Sequence, residues 1–231
     1  MAPILPHITL ETASSPEYSI IWLHGLGADG EDFVPIVEEI NLPVAVRYIF
    51  PHAPKRPVTM NGGFVMRAWY DISVGDLSAE RGINFPIKQD ATGIRDSQAE
   101  IDKLIAQELH RGIPSTHIFL AGFSQGGVIA LQTGLRHNNP LGGILALSTY
   151  LALTEKISEE ASEAAKNIPI YMAHGFYDPI VPYALGYWSK EILVQKGFDV
   201  DWHEYAMQHS VCGEEIRDIE KWLTAAIKRQ S

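Results

Sequence analysis

Hydrophobic positions along the chain follow two alternating rhythms. Short apolar runs occur at 19–24 (SIIWLH), 45–50 (AVRYIF), 117–121 (HIFLA), 143–147 (GILAL), 169–173 (PIYMA) and 200–205 (VDWHEY). Most are apolar at nearly every position, which suits strands covered on both faces. Longer stretches at 32–39, 92–110, 125–137, 155–166, 184–195 and 212–229 carry apolar residues at helical spacing. In 92–110, for example, Ile94, Ile101, Leu104, Ile105 and Leu109 share one face, and Gly112 with Pro114 stops the helix. Alternation of the two rhythms predicts an α/β fold, with a mostly parallel central sheet and helices on both faces. No linker, repeat or low-complexity tract divides it, so 1–231 reads as one domain.

The rhythm fails between 52 and 89. Around "PHAPKRPVTMNGGFVMRAWYDISVGDL" the chain is rich in Pro, Gly and aromatics, and it predicts an irregular substrate-pocket insertion. It follows the end of a strand, on the edge where open α/β sheets bind ligands. Trp69, Tyr70, Ile72 and Leu77 either join the core or wall an acyl pocket.

The candidate chemistry begins at "LAGFSQGG" (120–127), where Gly122, Ser124 and Gly126 form G-x-S-x-G. Five letters alone are weak, but Ser124 directly follows a predicted strand and precedes a predicted helix. That is the setting of a nucleophile elbow, in which a sharp turn lifts the hydroxyl above the sheet. A serine hydroxyl needs a base, and on this architecture the acid and then the histidine follow it in the chain. Of the later histidines, His137 ends the elbow helix, His174 ends a strand and His203 lies within one. His209 alone stands in a loop between the last strand and the last helix. For the acid, Asp178 in "HGFYDPIVP" lies just past a strand; its rivals Asp199 and Asp201 flank or occupy one. Oxyanion stabilisation needs two backbone N–H donors. Gln125 supplies one as the residue after the nucleophile, and the early loop "HGLGADG" (24–30) is the source expected for the other.

That loop also spells G-x-G-x-x-G through Gly25, Gly27 and Gly30, which raises a dinucleotide-binding oxidoreductase as an alternative. Against it, the next strand runs into Pro51 and His52 rather than a ribose-binding acid, and Asp29 stands where a pyrophosphate would lie. A catalytically inactive binding protein is a second alternative.

Charge and cysteine content narrow the partners. Net charge is −10 with no basic run, which argues against nucleic acid and anionic membranes. The one cysteine, Cys212, and a start without a basic, then apolar leader favour the cytoplasm. No metal-ligand spacing occurs, so no metal is expected.

Taken together, "LHGLGADG" at 23–30, "PHAPKRPVTMNGG" at 51–63, "WYDI" at 69–72, "GFSQGG" at 122–127, "LS" at 147–148, "HGFYDPIVP" at 174–182 and "HSVCGEEI" at 209–216 resemble the α/β-hydrolase carboxylesterases and acyl-protein thioesterases. The resemblance implies a triad of Ser124, Asp178 and His209, with oxyanion donors at the N–H groups of Leu26 and Gln125. It also implies an acyl channel lined at Ile72, Leu77 and Ile180, no cofactor, and often a homodimer. "LSTYLAL" at 147–153 stands where eukaryotic thioesterases tend to have Trp-Leu-Pro, and looks more like the bacterial esterase branch. The expected activity is hydrolysis of small-molecule carboxylic esters and acyl thioesters through an acyl-enzyme. Acyl-protein thioesterase or lysophospholipase action is the variant on the same chemistry.

Overall fold

A computed structural model describes residues 4–77 and 89–230. Seven strands form the central sheet: β1 (His7–Glu11), β2 (Tyr18–Leu23), β3 (Val46–Pro51), β6 (Ile118–Phe123), β7 (Gly143–Leu147), β8 (Ile170–Gly175) and β9 (Val200–Tyr205). Between β3 and β6, β4 (Lys55–Val58) and β5 (Phe64–Arg67) make a separate antiparallel hairpin. The sheet order is β1-β3-β2-β6-β7-β8-β9, with every pairing parallel except β1 against β3. The helices are α1 (Ile36–Glu39), α2 (Ala91–His110), α3 (Gln125–Gly134), α4 (Ile157–Glu160), α5 (Tyr183–Gln195) and α6 (Gly213–Lys228).

Strand alternation divides the core in two. Ile21 and Leu23 of β2 face α2, α3 and α5, through Ile101, Val128 and Leu193 among others. Ile20 and Trp22 face α1 and α6, through Ile36 and Leu223. Burial on both faces is what the apolar runs encode. The chain steps from β2 to β3 on one side, then crosses back past β2 to β6 and continues outward through β7, β8 and β9. The carboxyl ends of β2 and β6, paired through Leu23 and Gly122, therefore flank a topological switch point, where such sheets hold ligands.

Four local expectations change. β1 adds a strand to those predicted, because "HITLE" lies half-exposed on an antiparallel edge and forms no apolar run. The 52–89 insertion is not irregular throughout, since β4 and β5 pair within it; positions 78–88 lie outside the described residues. The 32–39 helix divides at Pro35 into a 3-10 turn at Gly30–Phe33 and α1. The 155–166 helix shrinks to α4 between two 3-10 turns, Thr154–Lys156 and Glu163–Asn167. Ser162 breaks it by accepting the Ala165 N–H on its own hydroxyl.

Candidate active site

Ser124 joins β6 to α3 with φ 54° and ψ −121°, a conformation that costs a non-glycine residue energy. Its neighbours hold it there. The Ser124 N–H donates to the Leu147 carbonyl at 2.9 Å. Its own carbonyl accepts from the N–H groups of Gly127 and Val128, at 3.0 and 3.3 Å, and from Thr149 Oγ1 at 2.6 Å. The flanking glycines are needed for clearance. A Cβ on Gly122 would overlap the Gly126 carbonyl, and one on Gly126 would overlap the Leu23 carbonyl. Ser124 keeps 9% of its surface exposed. Its hydroxyl has no hydrogen-bond partner among the described residues. In free enzymes such contacts are often long and tighten when substrate binds.

Asp178 and His209 meet at the carboxyl ends of the neighbouring strands. His209, in the loop between β9 and α6, donates Nδ1–H to Asp178 Oδ2 at 2.7 Å. That bond leaves its Nε2 free to accept a proton. The ring packs on Phe123, the residue before Ser124, with centroids 4.7 Å apart. Asp178 Oδ1 accepts from the Ile180 and Val181 N–H groups at 2.8 and 2.9 Å. A second imidazole, His174, places Nε2 3.4 Å from Asp178 Oδ2 and donates to the Val181 carbonyl at 2.9 Å. Burial pushes the Asp178 carboxyl up. The close His174 imidazole, the His209 bond and charge, and the Ile180 N–H outweigh it and hold the group well below the usual carboxylate range. The other candidates lie elsewhere. Asp201 pairs with His203 in β9 at 3.0 Å, and His137 bonds the Asn139 carbonyl.

The loop after β2 is braced from several sides. His24, 1% exposed, donates Nδ1–H to the Gly25 carbonyl at 2.7 Å and accepts the Ala53 N–H on Nε2 at 3.1 Å. Gly27, at φ 80°, donates its N–H to the Arg67 carbonyl at 2.9 Å. Trp69 Nε1 donates to the His24 carbonyl at 2.9 Å. Gln125 turns its side chain to the same segment, bonding Trp69 N and Tyr70 O. Between these anchors the Leu26 N–H has no acceptor among the described residues, and nor does the Gln125 N–H that opens α3. Sequence reasoning missed His24, His174 and the Gln125 side chain as site groups; only the Gln125 backbone had a recognisable signal.

The loop does not suit a dinucleotide. It leads into a four-residue 3-10 turn capped by Asp29, whose Oδ1 accepts the Glu31 N–H, and not into a long helix whose N-terminus could hold a pyrophosphate. Among the described residues no His, Cys, Asp and Glu cluster could hold a metal ion, and no helix is long and apolar enough to cross a membrane. Of the residues named for an acyl pocket, Trp69 and Ile72 are buried in the core, Leu77 packs half-buried against it, and Ile180 is 50% exposed.

The family model described as Phospholipase/Carboxylesterase matches residues 7–227. The chain belongs to that family. As a phospholipase/carboxylesterase it is an α/β-hydrolase-fold serine hydrolase acting on esters or thioesters. Acyl-protein thioesterase 1 of Neurospora crassa is 39% identical over 98% of this chain and 91% of its own. The Cryptococcus neoformans protein of the same name is 35% identical over 99% and 100%. Among solved structures, Arabidopsis thaliana SOBER1 superposes with a TM-score of 0.82 at 30% identity, covering 91% of this chain and 99% of its own. Zea mays acyl-protein thioesterase 2 gives 0.81 at 29%, covering 96% and 99%. Bacillus cereus carboxylesterase shares the fold, with a TM-score of 0.72, at 18% identity over 97% of this chain and 96% of its own.

Two buried titratable groups tie stability to pH in opposite senses. Burial pushes His24 down to about 4, so it stays neutral and Nε2 can accept from Ala53. The unfolded chain protonates this group near 6.5, so its contribution is whole above pH 6.5 and is lost as pH falls toward 4. Glu215, fully buried in the first turn of α6, is pushed up to about 8 by burial, and the Cys212 N–H offsets only part of this. Its contribution is whole below pH 4.5 and is lost as pH rises through 8. Glu215→Gln should therefore gain about 3–5 kcal/mol on the wild type between pH 5 and 9, at 1.36 kcal/mol per unit. Urea unfolding at the two pH values measures it; an equal difference at both would show that Glu215 does not titrate in this way.

Proposed function

We propose that Ser124 is the nucleophile, His209 the general base and Asp178 its orienting acid, with the Leu26 and Gln125 N–H groups as oxyanion donors. The observation that carries this reading is the 2.7 Å Asp178–His209 bond at the same sheet edge as Ser124 in its positive-φ turn. His209 Nε2 takes the Ser124 proton as Oγ attacks the acyl carbonyl, and Asp178 stabilises the imidazolium. The two N–H groups hold the oxyanion. His209 returns the proton to the leaving oxygen or sulfur as its bond to the acyl carbon breaks, leaving an ester on Ser124. Water, deprotonated by His209, attacks that ester, releasing the acid and restoring the serine.

The substrate we assign is an acyl ester or thioester, including S-acyl groups on proteins. Fungal relatives named acyl-protein thioesterase 1, 35–39% identical over nearly the whole chain, support the thioester arm. A single cysteine in 231 residues agrees with a reducing compartment such as the cytoplasm. A kcat/KM series over acyl length, with matched oxygen esters, thioesters and an S-acylated peptide, tests the assignment. Turnover of the S-acyl peptide at least equal to that of the matched oxygen ester is expected. Hydrolysis of oxygen esters alone would overturn the thioester arm.

A further inference from the structure

Gln125 presents two different groups to its surroundings. Its backbone N–H opens α3 toward the site, and its side-chain amide, on a residue only 3% exposed, reaches into the protein. There Oε1 accepts the Trp69 N–H at 2.7 Å and Nε2 donates to the Tyr70 carbonyl at 2.8 Å. An N–H and a C=O on consecutive residues call for one acceptor and one donor on a single side chain, and a neutral amide offers both.

The clamped segment also reaches the other proposed donor. Trp69 Nε1 donates to the His24 carbonyl, and the Arg67 carbonyl accepts the Gly27 N–H, each at 2.9 Å. Leu26 lies between those two fixed points. Ser97 Oγ, on α2, bonds the Trp69 carbonyl and braces the segment from behind. A path of hydrogen bonds thus runs from the Gln125 side chain, through residues 67–70, to either side of Leu26.

We propose that the Gln125 side-chain amide is a positioning residue for the reaction, fixing through residues 67–70 the spacing between the Leu26 and Gln125 N–H donors. This rests on the reading of those two N–H groups as the oxyanion site. Oxyanion stabilisation depends on donors aimed at where charge develops, so a change in their separation raises the barrier and leaves ground-state binding largely alone. Glutamine here does more than satisfy two buried backbone groups.

Gln125→Met keeps length and removes both bonds; Gln125→Glu keeps both only while its carboxyl is protonated. The Met variant should lose about 10- to 100-fold in kcat, the scale of a misplacement near 1 Å, with KM within about threefold of the wild type. The Glu variant should acquire a fall in kcat on the alkaline side that the wild type lacks, as ionisation removes its donor. Wild-type kcat in Gln125→Met assayed well below its Tm, or a rise in KM alone, would overturn the proposal by leaving only a packing role. Should the Met variant fail to fold, a Glu-variant pH profile superimposable on the wild type would overturn it equally. Ser124→Ala is assayed in parallel. Turnover surviving there breaks the serine reading itself, whereas an inactive Ser124→Ala beside a fully active Gln125→Met breaks the clamp alone.

Discussion

Ser124→Ala lowers kcat by about 10⁶-fold while KM changes little, the scale seen when a hydrolase loses its nucleophile. The expectation follows from what the side chain does and does not touch. In the resting protein the hydroxyl has no hydrogen-bond partner among the described residues, whereas the backbone bonds of residue 124 to Leu147, Gly127, Val128 and Thr149 hold the elbow. Alanine removes the oxygen and keeps every one of those bonds. It also keeps the positive φ, which costs alanine no less than serine. Folding should therefore be unchanged, and Tm within a few degrees of the wild type by the usual scale for small domains. Loss of turnover with unchanged Tm isolates the chemistry. Loss of both would mean that the substitution had opened the elbow.

Asp178→Asn should cost about 10⁴-fold in kcat through the wrong histidine tautomer, with the loop intact. Asparagine can keep the Oδ1 contacts with the Ile180 and Val181 N–H groups, which shape the loop. In place of Oδ2 it sets an NH₂ against His209 Nδ1. That nitrogen must then accept, its proton moves to Nε2, and the histidine can no longer take the proton from Ser124. His174 Nε2 faces the same substituted position, so both imidazoles are affected. A steady-state assay with circular dichroism as a folding control measures this. A loss under about tenfold would mean that Asp178 only shapes the loop, since that falls far short of the tautomer effect.

How much of this was legible beforehand depends on where the information lies. Strands β2, β3, β6, β7 and β8 carry their burial in their own letters, because both faces of each are covered. β1 and the β4–β5 hairpin do not. They are short and partly exposed, with Pro57 inside β4, so neither period stands out. Ser124, Asp178 and His209 stand out as candidates because each lies shortly after a strand of the parallel part of the sheet, and parallel strands bring their carboxyl ends to one edge. The brace around Leu26 was not recognisable. His24 bonds the Ala53 N–H, Gly27 the Arg67 carbonyl, and Gln125 the Trp69 N–H and Tyr70 carbonyl. Every residue except proline carries those backbone groups, so no pattern in 53–70 announces which of them will be used.

The opposed slopes of His24 and Glu215 arise in the same way. Each is a polar letter inside an otherwise ordinary motif, "LHG" and "GEEI", and burial by distant elements moves its proton affinity. Acid–base behaviour is thus a property of the packed core on either side of the sheet, which sequence alone displays poorly.

The central claim is that acyl transfer passes through Ser124. Rapid quenching during turnover of a slowly deacylated ester, followed by intact mass and peptide mapping, tests it directly. One acyl group per chain is expected, carried on the peptide containing Ser124 and absent in Ser124→Ala. An acyl group on another residue, or full turnover by Ser124→Ala with no adduct, would contradict it.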